Sequence, residues 1–275
     1  MTEHIGLTRL ALQERSPKLT LSLGPGQSMA VVGPTRAGKS RLLRVIAGLE
    51  AVAEGEVVRS KVVALAQAGS LSRRIRPQSI AQRNQVGRRM RPTEALVHLR
   101  LSECLNEPLG SLSDSQVAAC ELLEVLCSEA DTLAIDGQLD RLDPLALAGF
   151  HRCFRDVLAA GASFVVATQR PDLAHWFDTL VVLSRSQIRF AGSLEDVLRQ
   201  GRQHRVEVVT QNKVGARATV QPFSIRVEET PNGFVFTAEE GQALAARLLL
   251  EGYGDVEMVV IQPPRLEEIL VELMG

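Results

Sequence analysis

Residues 33–40 read Gly33-Pro34-Thr35-Arg36-Ala37-Gly38-Lys39-Ser40 and match the pattern G-x-x-x-x-G-K-[ST]. In this pattern, backbone N–H groups and the positive end of the next helix hold phosphate oxygens. The lysine reaches the β- and γ-phosphates, and the serine hydroxyl can ligate Mg²⁺. We therefore predict that residues 33–41, including Arg41, bind a nucleotide. The alternative is a tight turn without a ligand, but the chain has only four lysines, so a chance match is rare.

The segments on either side of this loop predict a strand, a loop and a helix, which is the context the pattern requires. An apolar run over 28–32 enters Gly33, and residues 41–47 have helical spacing and stop at Gly48, a typical helix C-cap. Further short apolar runs predict buried parallel strands at 62–66, 132–135, 163–167 and 179–183. The predicted fold class is therefore α/β.

Beyond Leu198 the pattern changes to alternating strands at 204–209, 223–227 and 234–237, with a hairpin signal at Pro231-Asn232-Gly233. A helix at 242–250, a strand at 256–261 and a helix at 266–274 complete this part. We place a boundary near 200–203. The sequence thus predicts an α/β domain over 1–200 and a small α+β domain over 201–275.

Composition excludes several classes of protein. The 275 residues are 45% hydrophobic and 23% charged, which is ordinary globular usage. No stretch reaches the roughly 18 uninterrupted apolar residues of a membrane-spanning helix, and the first residues do not resemble a signal peptide, so we expect a cytoplasmic chain. The four cysteines lack the spacing of a zinc site or disulfide framework. A net charge of −1 argues against a protein that coats nucleic acid.

The near-neutral total conceals two oppositely charged segments. Residues 70–100 contain eight arginines and one acidic residue, Glu94, whereas residues 101–145 contain ten acidic residues and one basic residue, Arg141. The basic segment is interpreted as a solvated or partner-facing surface. A DNA-handling role is the less favoured alternative, because no coiled-coil insertion or zinc ligands accompany it.

The phosphate loop continues into Leu42-Leu43-Arg44-Val45-Ile46-Ala47-Gly48-Leu49 and is followed by Gly55-Glu56-Val57. With these motifs, about the first 200 residues resemble the nucleotide-binding domain of ABC transporters. The resemblance implies a P-loop NTPase fold with a helical subdomain over about 70–130, and ATP and Mg²⁺ as cofactors. It implies three Mg²⁺ ligands: Ser40, Gln67 as the family's Q-loop glutamine, and Asp136 at the end of Thr132-Leu133-Ala134-Ile135-Asp136.

A second family motif is altered in this chain. Leu112-Ser113-Asp114-Ser115-Gln116 resembles the signature LSGGQ, which in the family reaches across a dimer to the γ-phosphate held by the opposite subunit. Both glycines are replaced. Asp114 is expected to repel a polyanion and weaken dimer closure unless its side chain turns away. The alternative interpretation is that Ser113 and Asp114 cap the following helix.

The residues that support hydrolysis in the family are also replaced, so no intact catalytic residue is predicted. Gly137 stands where the family has the glutamate that polarises the attacking water, and Gln169 stands in place of the switch histidine. Loss of general-base assistance removes about 10²- to 10⁴-fold in rate. Hydrolysis is therefore expected to be weak or absent without a partner.

The resemblance implies an ATP-binding transporter subunit that dimerises, as a homodimer or heterodimer, on an integral membrane permease at the inner face of the membrane. The small C-terminal domain with its last helix over 266–273 favours a drug- or antibiotic-exporter type. The alternative is a non-catalytic scaffold or regulatory subunit. No nucleic-acid partner is expected.

Overall fold

The computed structural model describes residues 3–12, 17–59, 62–84, 89–200, 204–224, 226–238, 241–250, 256–262 and 265–275. The chain divides into two compact units. One comprises Met1–Leu194 with Leu273–Gly275, and the other comprises Glu195–Glu272. Of the boundary region predicted from the sequence, residues 201–203 lie outside the described residues.

The first unit contains nine strands within its described residues. In chain order they are β1 (Ile5–Ala11), β2 (Leu19–Leu23), β3 (Ser28–Val32), β4 (Glu54–Arg59), β5 (Val63–Gln67), β6 (Thr132–Asp136), β7 (Ser163–Thr168), β8 (Thr179–Ser184) and β9 (Gln187–Ser193). The α-helices of this unit are α1 (Lys39–Ala47), α2 (Pro77–Arg83), α3 (Pro92–His98), α4 (Asp114–Leu126) and α5 (Pro144–Ala159). Short 3-10 turns cover Ser102–Cys104, Leu109–Ser111, Gln138–Arg141 and Pro171–Trp176.

The central sheet has the strand order β5-β6-β7-β3-β8-β9. Its first five strands are parallel, and β9 pairs antiparallel with β8. Strands β3 and β7 are buried along their whole length, as their continuous apolar sequences predict. Because the carboxyl ends of parallel strands meet at one edge, this edge collects Gly33, Gln67, Asp136 and Gln169. The predicted α/β fold class is confirmed.

A smaller antiparallel sheet, in the order β2-β1-β4, covers one side of the domain. Leu7 and Leu23 from this sheet share a core with Val31 of β3 and with Leu42 and Ile46 of α1. Strand β4 was not among the predicted strands. Its sequence, EGEVVR, is largely polar and exposed, and pairing with β1 rather than side-chain burial determines its strand conformation.

The helix expected after Ser113 begins at Asp114, because Ser113 caps its N-terminus. Helices α2 and α3 were not predicted. Each has only 7 residues and begins with a proline, which suits the first turn but leaves little periodic signal. All four cysteines are free and buried, as expected for thiols packed as small apolar groups.

The second unit is built on an antiparallel sheet with the order β11-β12-β10-β13. Its elements, with the preceding helix, are α6 (Leu194–Gln200), β10 (His204–Thr210), α7 (Lys213–Val220), β11 (Arg226–Thr230), β12 (Gly233–Ala238), α8 (Gly241–Leu250), β13 (Val256–Gln262) and α9 (Leu266–Met274). Val206, Phe234, Phe236 and Leu248 form its apolar core. The strand predicted at 223–227 was placed too early, because a 3-10 turn occupies Gln221–Phe223.

Membrane insertion has no candidate helix in the described part of the chain. None of its helices combines the length and the apolar character that crossing a bilayer requires.

Candidate nucleotide-binding site

The phosphate loop connects β3 to α1 and is packed against the end of β8. Gly33 has no room for a side chain, since a Cβ atom there would lie 2.3 Å from the Leu183 carbonyl oxygen. Gly38 has a φ of 99°, in the left-handed region that favours glycine. Arg36 is exposed and also left-handed, with a φ of 63°, which costs about 1–2 kcal/mol for a residue with a Cβ. The loop therefore retains the motif conformation despite the arginine.

Lys39 lies beneath this loop and is 9% exposed. Its Nζ donates to the carbonyl oxygens of Gly33 at 2.6 Å and Pro34 at 2.8 Å. Burial lowers the pKa of Lys39 below its ordinary value, while the carboxylates of Asp140 and Asp136 act in the opposite direction. The ammonium group is thus held at the loop, in reach of the phosphates that the motif binds.

The N-terminus of α1 is open to an anion. Gly38 supplies no side-chain cap, and no acidic residue lies in the first turn. The first N–H groups of a helix have no intrahelical partners, so they can donate to a phosphate. Arg41 can contribute here through its backbone, because its side chain donates to Glu50 Oε1 at 2.8 Å and to the Leu12 carbonyl oxygen at 2.5 Å.

The three residues predicted to hold Mg²⁺ lie at the same edge of the sheet. The Ser40 hydroxyl donates to Asp136 Oδ1 at 2.9 Å, which joins the start of α1 to the end of β6. Gln67 is paired in register with Asp136 on the neighbouring strand and is exposed. Hydroxyl, carboxylate and amide oxygens are hard ligands of the kind Mg²⁺ prefers. This donor set fits the ion.

The two positions that differ from the family pattern face the same site. Gly137 has a φ of 84°, and no atom lies within 4 Å of the place where its Cβ would stand. The space is therefore open, and glycine supplies no proton acceptor. Gln169, directly after β7, accepts a hydrogen bond at its Oε1 from the Thr35 hydroxyl at 2.9 Å. This contact joins the phosphate loop to the switch position.

Asp140 is a site residue that the sequence analysis missed. Its carboxylate accepts hydrogen bonds from the Thr168 hydroxyl and, at 3.0 Å, from the Gln169 N–H. Burial raises the pKa of Asp140, whereas these hydrogen bonds and the positive charges of Lys39 and Arg170 lower it. The available signal was a carboxylate four residues after Asp136, which the sequence analysis counted only as one of the acidic residues in 101–145.

The signature-like segment begins α4 and is satisfied by contacts within the chain. The Ser113 hydroxyl accepts from Gln116 N–H and the Gln116 side chain accepts from Ser113 N–H, which is a complete capping box. Asp114 turns toward Arg141, whose Nε donates to Asp114 Oδ2 at 3.0 Å. Ser115 donates to Asp143 Oδ2 at 2.7 Å. The alternative prediction of a helix cap at Ser113 is confirmed.

A buried carboxylate anchors this arrangement. Glu121 of α4 is 1% exposed and accepts hydrogen bonds from Arg141 Nη1 at 2.9 Å, Gly69 N–H at 2.8 Å and Gln138 Nε2 at 3.3 Å. One arginine therefore pairs with a buried and an exposed carboxylate on the same helix. The hydrogen bond and charge of Arg141 hold the pKa of Asp114 below its ordinary value.

The fold and this loop define a P-loop nucleotide-binding domain. The ABC transporter family model matches residues 17–139. A cytochrome c biogenesis ATP-binding export protein, CcmA of Chelativorans sp. (strain BNC1), is 33% identical over 168 residues, covering 56% of this chain and 83% of that protein. The chain belongs to the ABC transporter family as an ATP-binding protein.

Two further similarities agree with this assignment. The lipoprotein-releasing system ATP-binding protein LolD of Paramagnetospirillum magneticum is 28% identical over 190 residues, covering 60% of this chain and 84% of that protein. A solved structure of an ATP-binding subunit of an ABC transporter aligns with a TM-score of 0.62 at 20% identity, covering 72% of this chain and 93% of its own. Neither named relative is a drug exporter by its name, so the predicted exporter type has no support from them.

Proposed function

We propose that this ATP-binding subunit binds ATP with Mg²⁺ at residues 33–41 and hydrolyses it slowly. The observation that carries the proposal is the contrast at the carboxyl edge of the central sheet. The binding groups Lys39 and Ser40 are held by the phosphate loop and by Asp136, while Gly137 leaves open space where the family has a glutamate.

Mg²⁺ would be held by Ser40, Gln67 and Asp136. When bound, the ion would neutralise charge on the β- and γ-phosphates. The remaining groups orient the site: Lys39 lies under the loop, and Gln169 is held close to it through Thr35. Glutamine can donate and accept hydrogen bonds but cannot act as a general base. Slow turnover follows from this set of groups.

The family membership supports a permease partner and a second ATP-binding subunit, either another copy or a different chain. We place the subunit on the inner face of the cell membrane through that permease. Residues 1–200 would form the nucleotide-binding domain, with its helical subdomain over about 70–130, and residues 201–275 the accessory domain. The drug-exporter type would rest on that accessory domain alone.

A scaffold or regulatory role is the second candidate function. Its specific support is the signature-like segment, in which Asp114 contacts Arg141 and Ser115 contacts Asp143 of the same chain. In the family this segment acts across a dimer. Side chains already satisfied within one chain favour a subunit that docks on its partners without turnover.

Equilibrium binding of ATP with Mg²⁺ and phosphate release by the purified chain test the main proposal. Lys39→Ala is expected to weaken ATP binding by roughly 2–4 kcal/mol, or about 30- to 1,000-fold, because charged hydrogen bonds to phosphate are lost. The matched control is Lys18→Ala, since Lys18 pairs with Glu54 at 2.7 Å on an exposed surface. That control is expected to bind ATP like the wild-type chain.

The outcomes separate the two candidate functions. ATP binding with slow phosphate release supports the main proposal, and absence of ATP binding supports the scaffold role. Turnover on the order of 1 s⁻¹ or faster by the chain alone would contradict impaired hydrolysis, since that is an ordinary enzymatic rate.

A further inference from the structure

The loop after β6 carries a carboxylate one turn beyond the position of the missing glutamate. Gly137, with a φ of 84°, turns the chain into the 3-10 turn Gln138–Arg141. The Asp140 N–H donates to the Gly137 carbonyl oxygen at 3.2 Å, which closes this turn. Asp140 therefore returns toward the same edge of the sheet from which Gly137 departs.

The charge of Asp140 acts on the phosphate-binding lysine. Of the two carboxylates that raise the pKa of Lys39, Asp140 has the larger effect and Asp136 the smaller. The Asp136 carboxylate accepts a hydrogen bond from the Ser40 hydroxyl and belongs to the set of residues that fits Mg²⁺. Asp140 is not part of that set, so its carboxylate is an acidic group near Lys39 that is not needed to hold the ion.

The Asp140 carboxylate is oriented but retains acceptor capacity. Among the described residues, Oδ1 accepts one hydrogen bond, from the Thr168 hydroxyl, and Oδ2 accepts one, from Gln169 N–H. An ionised carboxylate offers about four lone-pair sites, so each oxygen can accept another hydrogen. The open space at Gly137 leaves room for a water molecule beside this turn.

We propose that Asp140 is the carboxylate that accepts the proton of the attacking water during slow ATP hydrolysis, in place of the glutamate absent at Gly137. This proposal rests on the proposed binding of ATP at the loop. In the step, the water oxygen forms a bond to the γ-phosphorus and the bond to the bridging oxygen breaks. ADP leaves with the electron pair, and the water proton passes to Asp140 and then to solvent.

The surroundings of Asp140 suit this role better than those of the nearby polar groups. Gln169 has no titratable group, and Asp143 is engaged in capping α5 through Leu145 N–H and Ala146 N–H. Burial raises the pKa of Asp140, which makes it a stronger proton acceptor than an exposed aspartate. Residual turnover is therefore expected to depend on this one side chain.

Asp140→Asn tests the proposal through turnover and equilibrium ATP binding measured on the same full-length protein. Turnover is expected to fall at least about tenfold, less than the 10²- to 10⁴-fold contribution of a general base at the glutamate position, because Asp140 lies three residues further along the chain. ATP binding is expected to stay equal or to tighten by a few-fold, because a negative charge near the phosphates is removed. Damage to the loop would instead weaken binding and turnover together.

Two further variants control this measurement. Asp156→Asn removes an exposed carboxylate of α5 by the same conservative change, so it is expected to keep wild-type turnover. Gly137→Glu in the Asp140→Asn background restores a carboxylate in open space, at a cost of about 1–2 kcal/mol for its positive φ. Partial recovery of turnover is expected.

An Asp140→Asn variant that hydrolyses ATP as fast as the wild-type chain would overturn the proposal. So would a wild-type rate no greater than that of Lys39→Ala, or an Asp140→Asn variant whose ATP binding weakens in parallel with its rate. Failure of the wild-type chain to bind ATP contradicts the proposed function itself and removes this proposal with it. Fast turnover by the wild-type chain contradicts only impaired hydrolysis, and loss of that turnover in Asp140→Asn would still support the role of Asp140.

Discussion

Two helices of the nucleotide-binding unit begin in family motifs, yet their N-termini differ in what they offer a ligand. Helix α1 starts after Gly38, with no side-chain cap and no acidic residue in its first turn. Helix α4 starts after Ser113, with a complete capping box and Asp114 in its first turn. The first terminus leaves its N–H groups for an anion, whereas the second uses side chains of its own first turn to satisfy Ser113 N–H and Gln116 N–H.

The difference separates what each terminus can offer, because a helix N-terminus can bind phosphate only where its N–H donors are left free. At α4, Asp114 adds a negative charge, which interacts favourably with the helix dipole but repels an approaching phosphate. Arg141 balances that charge within the chain through a direct ion pair. The sequence predicts repulsion unless the Asp114 side chain turns away, and that side chain does turn to Arg141. The α4 terminus is therefore stabilised by contacts within the chain, whereas the α1 terminus is open to an anion.

The largest expected effect on stability comes from removing Arg141, which pairs with Asp114 and Glu121 of α4. Arg141→Met leaves Glu121, which is 1% exposed, without its cation and is expected to lower the free energy of unfolding by about 3 kcal/mol. Urea denaturation measures this loss. ATP binding by the surviving folded protein is expected to stay unchanged, because α1 does not depend on the pair.

An exposed arginine provides the matched control for this prediction. Arg170→Met breaks the pair with Asp172, in which the Arg170 side chain is 36% exposed and the Asp172 side chain 51% exposed. Its loss is expected to lower the free energy of unfolding by less than about 1 kcal/mol. Adding Glu121→Gln to Arg141→Met removes the unpaired buried charge and is expected to recover most of the lost stability. Equal stability of the single and double variants would contradict the assigned role of Glu121.

A smaller effect is expected from the α4 cap itself. Ser113→Ala removes the acceptor for Gln116 N–H and is expected to cost about 1 kcal/mol of unfolding free energy. Ser113→Asp, which keeps a capping acceptor, is expected to retain most of the stability. Both variants are expected to bind ATP like the wild-type chain. A loss of ATP affinity in Ser113→Ala would show that the two termini are not independent.

Much of the fold could be predicted because its signals are local. The phosphate loop fixes a strand before it and a helix after it, and the apolar runs of β6 and β7 predict buried parallel strands. Strand β4 could not be found this way, because its polar sequence becomes a strand only by pairing with β1. Helix α7, which has only 8 residues and ends in a 3-10 turn, was likewise missed.

The candidate site divides in the same manner. Lys39, Ser40 and Asp136 follow from motif spacing, since each lies at a fixed offset from a strand end. Asp140 and Arg141 also follow β6 closely, but no motif assigns them a role, and their roles depend on partners distant in sequence, Gln169 and Glu121. Counting charged residues in the sequence includes Asp140 and Arg141 but does not show which residues they contact. Long-range pairing requires the three-dimensional arrangement of the loops after β6 and β7.

The smallest expected effect concerns the pH dependence of the stability that the Asp114–Arg141 pair contributes at the start of α4. Arg141 holds the pKa of Asp114 below its ordinary value, so the folded protein favours the charged carboxylate. The resulting stability is present above the unfolded pKa of about 3.9 and is lost as pH falls through the lower folded pKa. Because Asp114 is 72% exposed, solvent screening limits this contribution to less than about 1 kcal/mol. Unfolding free energies of the wild-type chain and Asp114→Asn are therefore expected to differ slightly at about pH 7 and to converge as the pH falls below about 3.9 and through the lower folded pKa. A difference that stays constant over this range would mean that packing at Asp114, and not its charge, stabilises the start of α4.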